Sequence, residues 1–298
     1  MKKLTALCQL NPLLRKPEDN FNKVEQVIKE HSSQKILLFI FPEDFLYGIL
    51  RGREEIKDAG KKFNFWIKRF SVLAVKYNID IIPGSFPLFA KGKLFNTTVY
   101  INKKGQLLNQ YSKTNLWLSE REEYSPSLVP PKVFNSILGK TIQIICWDLM
   151  DHKLFEEAVR QGAEWVINVS LWSLDQSRDL SRKRGKTKNK YSFSLKKSER
   201  LNSIIETRTT EYNIGIIFCN IGGNHSYIAL GEVEQLARSA GSTQAIAPLD
   251  GVRINVKNRK EQVLICNIPD IKDYISDHEI FYGRRKDVKN NYPHSTII

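Results

Sequence analysis

The sequence predicts an α/β fold in which helices are layered on mixed sheets within one domain, residues 1–298. Three observations carry this. Buried-strand runs alternate with segments of helical periodicity along the chain, a hairpin signal in the middle adds antiparallel pairing, and neither an internal repeat nor a linker divides the sequence. Although 298 residues exceed the usual single-domain size, layered α/β folds reach this length around one extended core.

The elements follow in order. Asp19 and Asn20 are suited to cap a helix whose Phe21, Val24, Val27 and Ile28 recur at helical spacing. The apolar run 35–41, ending at Pro42, reads as a strand buried on both faces. Residues 63–77 carry Phe65, Ile67, Phe70 and Leu73 and predict a helix leading into a strand at 79–82, closed by Pro83, Gly84 and Ser85. Between 95 and 111 two strands flank Lys103, Lys104 and Gly105, a turn where glycine supplies a positive φ. A buried strand at 141–146, a short helix at 154–161 ending on Gly162, and a strand at 165–169 come next. A helix at 195–212 then feeds a strand at 214–219, and a last strand spans 262–268.

A hydrophobic fraction of 41% and a mean hydropathy of -0.37 describe a globular chain with a substantial core. Met1, Lys2 and Lys3 followed by apolar residues resemble a secretory leader, but the apolar stretch is short, contains Gln9 and meets Asn11 and Pro12 without a small-residue cleavage pattern. No later run reaches the roughly 18 apolar residues of a membrane span. Cys8, Cys146, Cys219 and Cys266 lie far apart without a C-x-x-C pair, against a zinc ribbon or disulfide scaffold. The expectation is a cytoplasmic protein with reduced thiols and no membrane partner.

The formal charge is +14, and its distribution matters more than its size. Ten Lys/Arg against two acidic residues give a local excess of +8 between Arg178 and Arg200. Residues 176–198 read as a basic, flexible insertion exposed to solvent. Only Tyr191 and Phe193 interleave it, too few aromatics for base stacking, so nucleic acid is not an expected partner. No phosphate-loop, dinucleotide or H-E-x-x-H zinc motif occurs, and no cofactor or metal is expected.

Four polar residues end apolar strands or lie just beyond them: Glu43, Lys113, Glu120 and Cys146. In α/β sheets the carboxyl ends of strands open into the crevice that binds ligands. Singly each has an ordinary explanation: a cysteine closing an apolar strand as a small hydrophobe, Glu43 as a cap, Lys113 and Glu120 as surface charges. Only their combination changes the odds that they form a site.

Their sequence context resembles the nitrilase superfamily of carbon–nitrogen hydrolases along nearly the whole chain. The similar stretches are 6–9 with Asn11 and Pro12, 39–43, Gly84 with Ser85, 94–98, 111–116, Glu120 followed by 124–126, and 144–148. They continue with Gly162 and Ala163, Arg208 with Glu211 and Asn213, Asn220 with Gly222, Gly241 and Ser242 with Pro248 and Gly251, and Arg284 with Arg285. The resemblance implies a four-layer αββα sandwich, assembly into homodimers or larger homo-oligomers, and a Glu-Lys-Glu-Cys site. In it Cys146 would be the nucleophile, Glu43 the base, Lys113 the stabilising cation and Glu120 the group orienting Lys113. The backbone N–H of Trp147 would be a second oxyanion donor, and Trp172 would contact substrate.

The chain departs from the family pattern after Cys146. Asp151, His152 and Lys153 stand where Phe-Pro-Glu is usual, and Glu156 stands in place of an arginine. Trp147 is similar to true nitrilases, whereas Asp148 matches the amidase and carbamoylase branches. An amide or N-carbamoyl compound is the expected small-molecule substrate, with a carboxylate on it favoured by the lysines and arginines around the entrance. A nitrile hydrolase, and an impaired member that works as a binding or interaction protein, are the alternatives. His152 and His225 are the histidines to consider for a Cys-His dyad, but nothing in the sequence sets either beside the sulfur; both are read as ordinary histidines, His152 being the better placed of the two to line the pocket.

Overall fold

The computed structural model describes residues 3–174, 192–228, 234–248, 254–256 and 258–272. The first sheet is built from β1 (Lys3–Gln9), β2 (Leu38–Ile40), β3 (Asp80–Ile82), β4 (Ser85–Ala90), β5 (Lys93–Ile101), β6 (Leu107–Ser112) and the late strand Gln262–Ile268. β1, β2 and β3 run parallel at its centre, and the late strand pairs antiparallel with β1 over its full length, from Lys3 opposite Ile268 to Gln9 opposite Gln262. The second sheet contains β7 (Phe134–Ser136), β8 (Gly139–Ile145), β9 (Trp165–Ser170) and β10 (Gly215–Asn220), of which the last three are parallel. After a separate hairpin of β11 (Asn224–Ile228) and β12 (Glu234–Arg238), the chain adds β13 (Gln244–Ile246) and β14 (Ile254–Asn255) to the second sheet, which makes the late strand β15.

The two sheets pack face to face, and side-chain alternation makes this possible. Leu7, Leu38 and Ile40 belong to one core cluster with residues of the second sheet, while their strand neighbours Ala6, Cys8, Phe39 and Phe41 belong to another with α1 (Pro17–Glu30) and α3 (Phe63–Tyr77). α2 (Arg53–Lys61) joins that outer layer through Ile56 and Ala59. On the far side, α4 (His152–Arg160) and α5 (Ser192–Tyr212) cover the second sheet with Leu154, Phe155, Leu201 and Ile205. The result is the expected αββα layering. Gln143 crosses between the sheets, donating to the Val99 carbonyl at 3.2 Å and accepting from Asn109 at 2.8 Å.

The strands expected at 141–146 and 262–268 and the helix at 63–77 are present. The expected cap is corrected. Helix α1 starts at Pro17, and Asn20 lies inside it, buried. Its amide receives the Leu13 N–H and donates to the carbonyls of Leu13 and Leu46 at 2.7 and 2.9 Å, which ties the helix to the loop that follows β2. The apolar start of the chain is the central strand β1, with Ala6, Leu7 and Cys8 fully buried. The basic insertion at 176–198, Gly251, Arg284 and Arg285 lie outside the described residues, apart from the helical backbone of 192–198.

Candidate active site

Parallel strands deliver their carboxyl ends to one edge of the sandwich. There Glu43 follows β2, Cys146 follows β8, Leu171 and Trp172 follow β9, and Lys113 follows β6. All of them line one cavity of about 330 Å³, together with Glu120 and Trp147. The structure therefore brings together all six residues singled out in the sequence, from four separate strands and the loop after β6.

The charged centre is buried. Lys113, 1% exposed, donates to Glu43 Oε1 at 2.8 Å and to Glu120 Oε2 at 2.7 Å. Glu43 Oε2 accepts the Leu171 N–H at 2.8 Å, and Glu120 Oε2 also accepts the Trp117 N–H at 2.6 Å. Asn96, on β5, donates its amide to both glutamates, to Glu43 Oε1 at 3.0 Å and Glu120 Oε1 at 3.2 Å. Burial pushes the Glu43 carboxyl up and Lys113 opposes that shift. For Lys113 burial acts to lower the pKa, but Glu120 and Glu43 outweigh it and hold the ammonium charged.

Cys146 opens a short 3-10 turn, Cys146–Met150, with its backbone in the left-handed region at φ 46°. A non-glycine residue holds that conformation only where its surroundings fix it. Asn168 does so from β9: its Oδ1 accepts the Cys146 N–H at 2.7 Å and its amide donates to the Cys146 carbonyl at 3.3 Å. The thiol and Glu43 lie close enough to act on each other electrically: the thiol favours the ionised carboxyl, and the carboxylate charge disfavours the thiolate. Ser170 Oγ, buried and without a partner of full hydrogen-bond geometry, is close enough to the sulfur to favour the thiolate. Burial and the Glu43 charge nonetheless raise the Cys146 pKa well above the usual thiol value. Burial thus favours the neutral thiol, beside a lysine whose two glutamate partners keep it charged.

Asp148 fastens the cysteine turn to the lysine loop. It is fully buried and accepts from the Ile145 and Asn115 backbone N–H groups at 3.0 and 2.7 Å and from the hydroxyls of Tyr111 and Thr114 at 2.8 and 3.0 Å. Asn115 in turn donates to the Trp147 carbonyl at 3.1 Å. Asn220, at the end of β10, accepts the Trp172 N–H at 2.7 Å. These contacts aim the aromatic wall, in which Trp147 meets Trp117 and Trp172 at ring-centroid distances of 4.3 and 5.2 Å.

One expectation is corrected. His152 is exposed at the start of α4 and His225 is buried on β11, and neither lines the cavity. The sequence reading did not single out Asn96, Trp117 or Asn168. Asn96 stood within a quoted stretch, but an asparagine on a strand gives no sign of which carboxylates it will face. Among the described residues no group of His, Cys, Asp and Glu is arranged to hold a metal ion, and no helix is long and apolar enough to cross a membrane.

A fold of two facing mixed sheets with this buried Glu-Lys-Glu-Cys edge defines the class, and the comparisons agree with it. The chain belongs to the carbon–nitrogen hydrolase family, whose model matches residues 4–267. It is 30% identical over 163 residues to the hydrolase in the agr operon of Staphylococcus aureus, a match covering 53% of this chain and 61% of that relative, so less than two thirds of the relative is spanned. Its fold is similar to a carbon–nitrogen hydrolase from Helicobacter pylori, with a TM-score of 0.80 at 16% identity over 96% of this chain and 95% of the other. It is also similar to an amidase from Nesterenkonia sp. with the acetamide moiety of fluoroacetamide on its active-site cysteine, with a TM-score of 0.73 at 17% identity over 98% and 97% of the two chains. At these identities the likeness to the solved structures is one of fold.

Proposed function

We propose that this chain hydrolyses a carbon–nitrogen bond of a small amide or N-carbamoyl compound through a thioester on Cys146. The observation that carries this reading is the thiol of Cys146, on a fixed left-handed turn, in one cavity with Glu43 and a buried lysine that two glutamates keep charged. A buried neutral thiol needs a base at the moment of attack, and Glu43 is placed to take its proton. As sulfur adds to the carbonyl carbon, the negative charge on oxygen is met by Lys113 and by the N–H of Trp147, which is second in a helical turn and has no acceptor within it. Glu43 then returns the proton to the leaving nitrogen, and ammonia or an amine departs as the thioester forms. Water enters, gives a proton to Glu43 and attacks the thioester; collapse releases the carboxylic acid and restores the thiol. Glu120 orients Lys113 throughout.

Family likeness supports a single domain acting as a homodimer or larger homo-oligomer. The four cysteines, buried and unbridged, suit a cytoplasmic setting.

The test is intact-protein mass spectrometry after brief incubation with small amides, N-carbamoyl compounds and nitriles. An acyl adduct is expected on wild type and absent from Cys146→Ala, its added mass naming the acyl group. Glu43→Gln is expected to form it at least about a hundredfold more slowly, given what a positioned base contributes. Because Glu43 must be ionised to act and its pKa is raised, acylation by wild type should fall off with acid at a pH above the ordinary glutamate range. A folded protein that no amide, carbamoyl compound or nitrile acylates would favour a binding role instead.

A further inference from the structure

The cavity holds an acidic side chain that this mechanism does not use. Asp44, directly after Glu43, lines it on a left-handed turn at φ 54°. Its backbone is fixed on both sides, the N–H donating to Ser85 Oγ at 3.3 Å and the carbonyl accepting from Gly48 at 2.8 Å. Its carboxyl takes part in no hydrogen bond or ion pair with the described residues. The other inner charges are matched: Lys113 with the two glutamates, and Arg51 with Glu123 at 3.5 Å and Ser119 at 3.0 Å. Arg200 lies exposed at the rim.

Asp44 is thus an unmatched acid beside two others. Burial, then Glu43 and Glu120, push its carboxyl well above the usual range, the situation that an incoming cation relieves. The cavity it lines is aromatic: Trp147 meets both Trp117 and Trp172, and Tyr124, which also lines it, feels the Asp44 charge. Indole faces attract cations. A substrate carboxylate, which the +14 charge of the whole chain favours, would here meet Glu43, Asp44 and Glu120, with Lys113 and Arg51 already engaged by glutamates.

Resting on the carbon–nitrogen hydrolase reading, we propose that the substrate carries a protonated amine or guanidine whose charge sits against Asp44 in the tryptophan-walled cavity. Asp44 is then a specificity-determining residue and takes no covalent part.

The experiment measures alkylation of Cys146 by iodoacetamide, read by peptide mass, in the presence of n-pentylammonium, n-pentanol or pentanoate. The cation is expected to protect at concentrations about tenfold or more below those of the alcohol, with pentanoate weakest. Asp44→Asn should abolish the advantage of the cation and Asp44→Glu should retain it. Each protein is compared with itself across three probes, so a general loss of stability changes all three alike. Equal protection by pentylammonium and pentanol in wild type, or an advantage untouched by Asp44→Asn, overturns the proposal. Protection needs no turnover and is read apart from acylation. Neutral amides that acylate Cys146 without any ammonium advantage sink the cation site alone; failure of every amide to acylate, cationic ones included, sinks the hydrolase reading and this one with it.

Discussion

Asn96 shows what one neutral side chain does among charges. Its single NH₂ reaches both glutamates, so it joins Glu43 to Glu120 without adding charge to the cluster. Its amide oxygen has no partner among the described residues, which leaves the two carboxylates to set the orientation of the group. Hydrogen bonds to charged groups are worth about 1.5–3 kcal/mol, so Asn96→Ala is expected to slow acylation of Cys146 roughly 10- to 100-fold. Removing a donor from Glu43 destabilises its ionised form, and the acid limb of the acylation profile should move to higher pH. Asn96→Asp should move it further by adding a like charge. A role in packing alone would lower the melting temperature and leave the limb in place, so the pH profile decides between them.

At the scale of the element, the cysteine turn and the lysine loop behave as one unit because Asp148 binds both. Burial raises its pKa from 3.8 to about 6. The folded state therefore keeps this proton up to about pH 6, while the unfolded chain releases it near pH 4. Folding is favoured most below the unfolded value, and stability falls as pH rises through that window and levels off above it, a change of at most about 3 kcal/mol. Asp148→Asn should lower the melting temperature at every pH, since an amide replaces acceptors with donors. It should also flatten the slope of melting temperature between pH 4 and 6, and an unchanged slope would assign that titration elsewhere.

How far the elements were legible follows from what each shows in one dimension. The run 141–146 and the helix 63–77 carried their periods openly and are present as β8 and α3. Helix α2 did not, because in REEIKDAGK only Ile56, Ala59 and Gly60 are buried, too thin a stripe to reveal a period. Strand β4 was hidden by Pro87, which a strand tolerates here because β4 closes the edge of the first sheet. The four polar residues of the site were legible from their places after strands and from family likeness. The contacts of Asn96 with Glu43, 53 residues away, and of Asn168 with Cys146 exist only once the sheets have formed.

For the whole molecule, the site is a property of the sandwich and not of either sheet. Glu43, Asn96 and Lys113 come from the first sheet, and Cys146, Asn168 and Leu171 from the second. No reactive arrangement survives if the sheets part. Leu7, fully buried on β1, lies in the core cluster shared by the two sheets and is far from the cavity wall in sequence and absent from it in space. Leu7→Ala should cost about 2–5 kcal/mol by leaving a cavity between the sheets. If the sandwich melts as one cooperative unit, the temperature at which Cys8, Cys219 and Cys266 become open to alkylation should coincide with the midpoint of far-ultraviolet circular dichroism and with the loss of acylation at Cys146. All three midpoints should fall together in Leu7→Ala. Acylation lost well before the buried thiols open would show instead that the cavity edge unfolds on its own, and that the loops after β2 and β6, not the packing between the sheets, set the thermal limit of the site.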